Sequence, residues 1–95
     1  MTQMMQEPPT DAELDAIDRA CNAATPGPWK SFIEGRDHTG GSHFIRTGGE
    51  DIELCGPARI ADQDFIADAR QSVPLLVAEV RRLRARIAEL ENRST

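Results

Sequence analysis

Apolar residues recur at Leu14, Ile17, Cys21 and Ala24, at spacings of 3, 4 and 3. That rhythm predicts an amphipathic helix of about four turns, with Asp15, Asp18 and Arg19 left for solvent. Thr10 opens the helix as its N-cap. Glu13, three residues on, completes a capping box, and Asp11 places negative charge at the positive end of the helix dipole. The preceding stretch MTQMMQEPP has no periodicity and ends in two prolines. Residues 1–9 therefore read as a flexible tail and residues 10–95 as a single domain.

The helix runs into ATPGPWK, residues 24–30, where two prolines bracket a glycine ahead of the only tryptophan. Pro26-Gly27 suits the centre of a type II turn, since Pro presets φ and Gly accepts a positive φ. Pro28 pushes the chain into an extended segment at Trp29. The motif reads as a stiff corner, with Trp29 anchoring the fold at its exit and stacking on a ligand as the alternative role.

Alternation shortens in the middle of the chain. WKSFIE, HFIRT and DIELC are short, rich in β-branched and aromatic residues, and separated by glycine-bearing turns, so residues 29–56 read as a three-stranded antiparallel sheet. Gly48-Gly49 suits a tight hairpin, and Gly35 to Ser42 forms a longer polar connection. Phe32 beside Ile33, and Phe44 beside Ile45, leave the buried face open.

Beyond Gly56-Pro57 the helical period returns. Asp62 is placed to cap a short helix carrying Phe65, Ile66 and Ala69, and Ser72 to cap another with Pro74 in its first turn, which predicts a bend near 71–73. Val73, Leu76, Val80, Leu83, Ile87 and Leu90 then repeat at 3, 4, 3, 4 and 3. This is a coiled-coil seam on a helix spanning about residues 73–92, and Leu76, Val80, Leu83, Ile87 and Leu90 are the expected oligomer interface. The fold class is α+β: an N-terminal helix, a three-stranded antiparallel sheet, and a bent C-terminal helical segment that drives homo-oligomerisation.

Composition sharpens the picture. A chain of 95 residues with four aromatics has a thin core, and subunit association would supply missing apolar burial. The net charge of −5 opposes a protein that works by neutralising phosphates. The charge is uneven: residues 1–68 carry five Lys/Arg against thirteen Asp/Glu, whereas residues 69–95 carry six Arg against three Glu. A basic helix on an acidic body suits self-association better than nucleic-acid binding. Cys21 and Cys55 lack a CxxC spacing, and no stretch approaches the ~20 apolar residues of a membrane span. A cytoplasmic protein with free thiols is expected, and pairing of Cys21 with Cys55 stays open.

The ATPGPW corner at 24–29, preceded by a capped helix, and DFIADARQSVPLLVAEVRRLRARIAEL at 64–90 together resemble the Ead-like early accessory proteins of temperate bacteriophages. The resemblance covers the first helix, the corner and the last third of the chain. It implies a small protein made early in infection in the cytoplasm of the bacterial host, and it carries over no catalytic residue.

Candidate chemistry is sparse. His38, His43, Asp37 and Cys55 are metal-ligand types at spacings that match no paired-ligand pattern, so neither a metal nor another cofactor is expected. A Cys55–His43 nucleophile, or acid/base work by Glu50, Asp51 or Glu53, has no further support in the pattern, and no catalytic residue is assigned. HTGGSH and RTGGED each offer backbone N–H groups near a cation. They suggest a ligand site of Trp29, Lys30, Arg36, His43, Phe44 and Arg46, with an aromatic stacking on a ligand and the cations facing an anion. The resulting expectation is a non-enzymatic phage or prophage accessory protein that binds and modulates or sequesters a host factor. That factor is a host protein or a small anionic, nucleotide-type defence signal. The alternative is a nucleic-acid-associated regulator using Arg81, Arg82, Arg84 and Arg86.

Overall fold

The computed structural model describes residues 7–54 and 60–94. In chain order it contains α1 (Asp11–Ala23), β1 (Lys30–Phe32), β2 (Phe44–Arg46) and α2 (Ile60–Arg93). Of the tail expected over residues 1–9, residues 1–6 lie outside the described residues. Residues 7–9 have no regular structure, and the Pro9 carbonyl accepts a hydrogen bond from Arg84 Nη2 at 2.7 Å.

The capping box at the start of α1 is complete. The Glu13 N–H donates to Thr10 Oγ1 at 3.0 Å and the Thr10 N–H to Glu13 Oε1 at 2.7 Å. Two of the four amide donors that a helix start leaves orphaned are engaged in this way or backed by it. Leu14 is buried and Cys21, a free thiol, is half-buried. The polar side of α1 departs from expectation, because Asp15 and Asp18 do not simply face solvent. Both grip Arg81 of α2, at 2.6 and 3.2 Å, and Asp11 meets Arg84 at 3.2 Å. At the other end the Thr25 carbonyl accepts from Arg70 Nε at 3.0 Å. The first helix therefore runs antiparallel along the segment of α2 between Arg70 and Arg84.

The corner after α1 is not the expected type II turn: the Gly27–Pro28 peptide is cis, and among the described residues only Gly35 and Gly41 have positive φ, so Gly27 lacks the positive φ that such a turn demands. Gly48 clamps the corner from the far side: its N–H donates to the Pro26 carbonyl at 2.8 Å, and a Cβ at Gly48 would sit 2.6 Å from that oxygen.

The sheet has two strands. β1 and β2 pair antiparallel in the register Lys30–Arg46, Ser31–Ile45 and Phe32–Phe44. The expected third strand, DIELC, is reduced to a single antiparallel bridge in which Ile45 and Ile52 exchange N–H···O bonds of 2.8 and 2.9 Å. Only Ile52 and Leu54 of its described residues are even half-buried, while Asp51 and Glu53 stay exposed. Little apolar surface is gained by extending the pairing, and Cys55 lies outside the described residues. The hairpin reading of Gly48-Gly49 holds to the extent that the chain doubles back there.

The bend expected near residues 71–73 is absent. α2 is one unbroken helix of 34 residues with Pro74 inside it, Asp62 in its first turn and Ser72 in its interior. Proline removes one backbone donor and crowds the preceding turn. Contacts hold α2 on both sides of that point, with Arg70 and Gln71 bonded to the corner residues and Val77 buried beyond. The core is small, as the aromatic count implies: Leu14, Ile33, Ile45, Ala67 and Val77, with Ser31, Thr47 and Gln63 buried beside them.

Gly48→Ala is expected to lower stability by about 1–3 kcal/mol in urea denaturation, because the new methyl collides with a backbone oxygen that has no room to retreat. Gly49→Ala should cost less, since its closest neighbour is the Thr25 methyl at 3.2 Å.

Candidate functional site

The pleat divides the strands into two faces. Ser31, Ile33 and Ile45 point inward and are buried. Gln63 of α2, 3 % exposed, seals them: its Nε2 reaches Ser31 Oγ at 2.9 Å, the Phe44 carbonyl at 3.1 Å and the Phe32 carbonyl at 3.2 Å. Two turns further on, Gln71 does the work of a neighbouring strand. Its Oε1 accepts the Trp29 N–H at 2.6 Å, and its Nε2 donates to the Trp29 carbonyl at 3.2 Å.

Lys30 and Phe32 of β1, and Phe44 and Arg46 of β2, share the outward face. The two phenyl rings stack with centroids 5.1 Å apart and planes within 4°. Arg46 lies over Phe32 at 4.6 Å and reaches Phe44 at 6.0 Å, while Lys30 Nζ sits 5.3 Å from the Phe32 centroid. Such contacts hold a cation over the negative face of a ring. His38 closes the cluster edge-on, its centroid 5.2 Å from Phe44 and 6.2 Å from Phe32. Its ring is fixed, with Nδ1 accepting from the Gly40 N–H at 3.0 Å and Nε2 donating to the Ser42 carbonyl at 2.5 Å. Among the described residues, neither Lys30 nor Arg46 has an ion-pair partner. The patch thus presents two cations without a direct ion pair among the described residues, on a chain that is acidic overall, with Lys30 near enough to Asp37 to help hold that carboxyl below its ordinary value.

The six expected ligand residues divide. Lys30, Phe44 and Arg46 come together on this face. Trp29, Arg36 and His43 serve the scaffold. The Trp29 indole N–H donates to the Thr25 carbonyl at 3.0 Å and the ring is half-buried, which makes it an anchor of the corner. His43 Nδ1 accepts from the Glu34 N–H at 2.9 Å. The Arg36 guanidinium is bidentate to Asp64, at 2.8 and 3.0 Å, and also meets Asp37. Trp29, Lys30 and Arg36 do meet, with Asp64, along an open cleft of about 270 Å³ between β1 and α2, so Lys30 belongs to both the outward face and this cleft. Phe32 and His38 were missed by the site expectation. The i, i+2 spacing of Lys30 to Phe32 and of Phe44 to Arg46 carried the signal for Phe32, whereas His38 arrives by loop folding alone.

The glycine-rich turns do not form anion cradles. Gly40, Gly41, Gly48 and Gly49 spend their N–H groups on His38, Glu34, Pro26 and Thr47 respectively. The proposed Cys55 nucleophile lies outside the described residues. Among the described residues, no group of three or more His, Cys, Asp or Glu side chains converges to hold a metal, and no helix is long and apolar enough to cross a membrane.

The arginine-rich stretch of α2 is engaged within the chain. Arg81 and Arg84 hold α1, Arg82 pairs with Glu79 at 2.7 Å, and Arg86 pairs with Glu89. Paired arginines offer less free charge to a phosphate backbone than the bare sequence implies.

Comparison of the chain with protein-family models, with curated proteins and with solved structures finds no match.

The Arg36–Asp64 clamp has a pH signature. Hydrogen bonds from Arg36 first, and then from Ser31, hold the Asp64 carboxyl down at about 2 against an ordinary 3.8. A carboxyl whose folded pKa is depressed stabilises the fold fully above its unfolded pKa and loses that contribution as pH falls through the folded value. Thermal melts between pH 5 and pH 2 should therefore show a falling Tm whose slope is shallower in Asp64→Asn. Parallel slopes in the two proteins would remove Asp64 as a source of acid sensitivity.

Proposed function

We propose that this chain is a non-enzymatic accessory protein of a phage or prophage that binds a host protein in the bacterial cytoplasm and modulates or sequesters it. The observation carrying this reading is the outward sheet face, where Lys30 and Arg46 lie against the stacked Phe32 and Phe44 with no direct ion-pair partner among the described residues. Aromatic residues and arginine concentrate binding energy at protein interfaces. An acidic segment of the partner complements the two cations, and its apolar neighbours cover the exposed ring edges.

A nucleotide-type signal is the less favoured ligand. Trp29, Lys30 and Arg36 line one open cleft, but the Trp29 indole and the Arg36 guanidinium are held by Thr25 and Asp64, His43 is bonded to Glu34, and Phe44 and Arg46 lie on the outward face, so the six do not enclose one concave pocket of the kind small ligands use. The regulator reading on the C-terminal arginines is weakened by their carboxylate partners.

The test is quantitative mass spectrometry of proteins copurifying from host lysate with wild type and with Lys30→Glu/Arg46→Glu. At least a tenfold loss of one host protein is expected, with the melting temperature little changed because both side chains are exposed. Retention of all partners by the variant would remove the sheet face from the proposal. Salt-dependent DNA or RNA binding abolished by Arg82→Gln/Arg86→Gln would favour the regulator instead. Those two arginines are the appropriate choice because they pair within α2, whereas Arg81 and Arg84 also secure α1.

A further inference from the structure

Because α2 is unbroken, its apolar seam begins a heptad earlier than the spacing from Val73 to Leu90 alone implies. Ile66 occupies the a position and Ala69 the d position of that added heptad. The complete seam has Ile66, Val73, Val80 and Ile87 at a, with Ala69, Leu76, Leu83 and Leu90 at d. It spans about 36 Å of helix at 1.5 Å per residue. The sheet and α1 pack in succession along the neighbouring side of α2, where Gln63, Ala67 and Val77 are buried, Gln63 and Val77 at the e positions that flank the seam. Along the seam, Leu76 is 62 % exposed and Ile87 54 % exposed, with Ile66, Leu83 and Leu90 exposed as well, while Ala69, Val73 and Val80 are half-buried. A monomer rarely leaves five large aliphatic side chains of one stripe exposed.

We propose that a second copy of this chain docks on this seam, parallel and in register, as a two-stranded coiled coil. Side-chain shape selects the geometry. All four a residues are β-branched and three of the four d residues are leucine, the combination that favours two strands in parallel coiled coils. Charge selects the same arrangement. In a parallel pair, each g residue faces the e residue five positions further along the other helix. Arg86 then meets Glu91 of the partner subunit, while the other such pair, Glu79 with Arg84 of the partner subunit, joins groups already bonded to Arg82 and to Asp11 and adds less. An antiparallel pair covering the same stripe would centre near residue 78 and set Glu79 close to its own copy, a like-charge contact. The seam shares no residue with the outward sheet face, so self-association and host binding can fail separately.

The test uses the full chain with Cys21→Ser and Cys55→Ser, spin-labelled at Ser94→Cys. Light scattering should give twice the 10.5 kDa of one chain. Parallel helices 8–10 Å apart put the two labels within about 25 Å once label length is included. Antiparallel helices centred near residue 78 would separate them by about 48 Å. Arg86→Glu should weaken dimerisation about fivefold through two exposed pairs per dimer. Adding Glu91→Arg should restore it. A monomer, a trimer or tetramer, a label distance near 48 Å, or failure of Glu91→Arg to rescue Arg86→Glu would each overturn the proposal.

Discussion

Two strands of three residues cannot stand alone, and the long helix makes them a sheet. Short hairpins are marginal in water unless another element covers one face. Here α2 supplies both the cover and the missing hydrogen-bond partners. Gln63 satisfies Ser31 and two strand carbonyls from beneath, and Gln71 binds both backbone groups of Trp29. The two glutamines are eight residues apart, just over two helical turns, so they lie on the same side of α2 and lay the start of β1 along it. A buried amide left without partners costs about 1–3 kcal/mol, which makes this docking specific as well as favourable. The outward cluster of Phe32, Phe44, Lys30 and Arg46 exists because the alternate residues are sealed inward.

Further along much the same side, α2 receives α1. Leu14 and Val77 are buried, while Arg81 and Arg84 bind the three aspartates of the first helix. Exposed ion pairs contribute little stability each, so these contacts orient α1 more than they hold it down. Of the six arginines in residues 69–95, Arg81 and Arg84 balance acidic residues of α1, while Arg82, Arg86 and Arg93 pair with glutamates of α2 itself.

The apolar seam lies beside these contacts on the 34-residue helix. The proposed binding face and the proposed self-association seam share no residue and differ in chemistry, with cations over aromatic rings in one case and a stripe of aliphatic side chains in the other.

Elements governed by local rules were legible in the sequence. The Thr10–Glu13 capping box, the spacing of Leu14 and Cys21, the end of the first helix ahead of the prolines and the a/d repeat from Val73 to Leu90 depend on neighbours within a turn or two. Tertiary structure decided the rest. Continuity through Pro74 followed from contacts on both sides of it, which propensity does not register. Ile52 paired at one residue instead of opening a third strand because its flanking acids had nothing to gain from burial. Arg36 and His43 look like ligand residues in one dimension, yet Asp64 lies 28 positions from Arg36 and claims its guanidinium, and the Glu34 backbone claims His43. Period-two alternation already put Lys30 with Phe32 and Phe44 with Arg46. The register of β1 against β2 was needed to bring the two pairs onto one surface, because pairing partners are set by packing across the sheet and not by spacing along the chain.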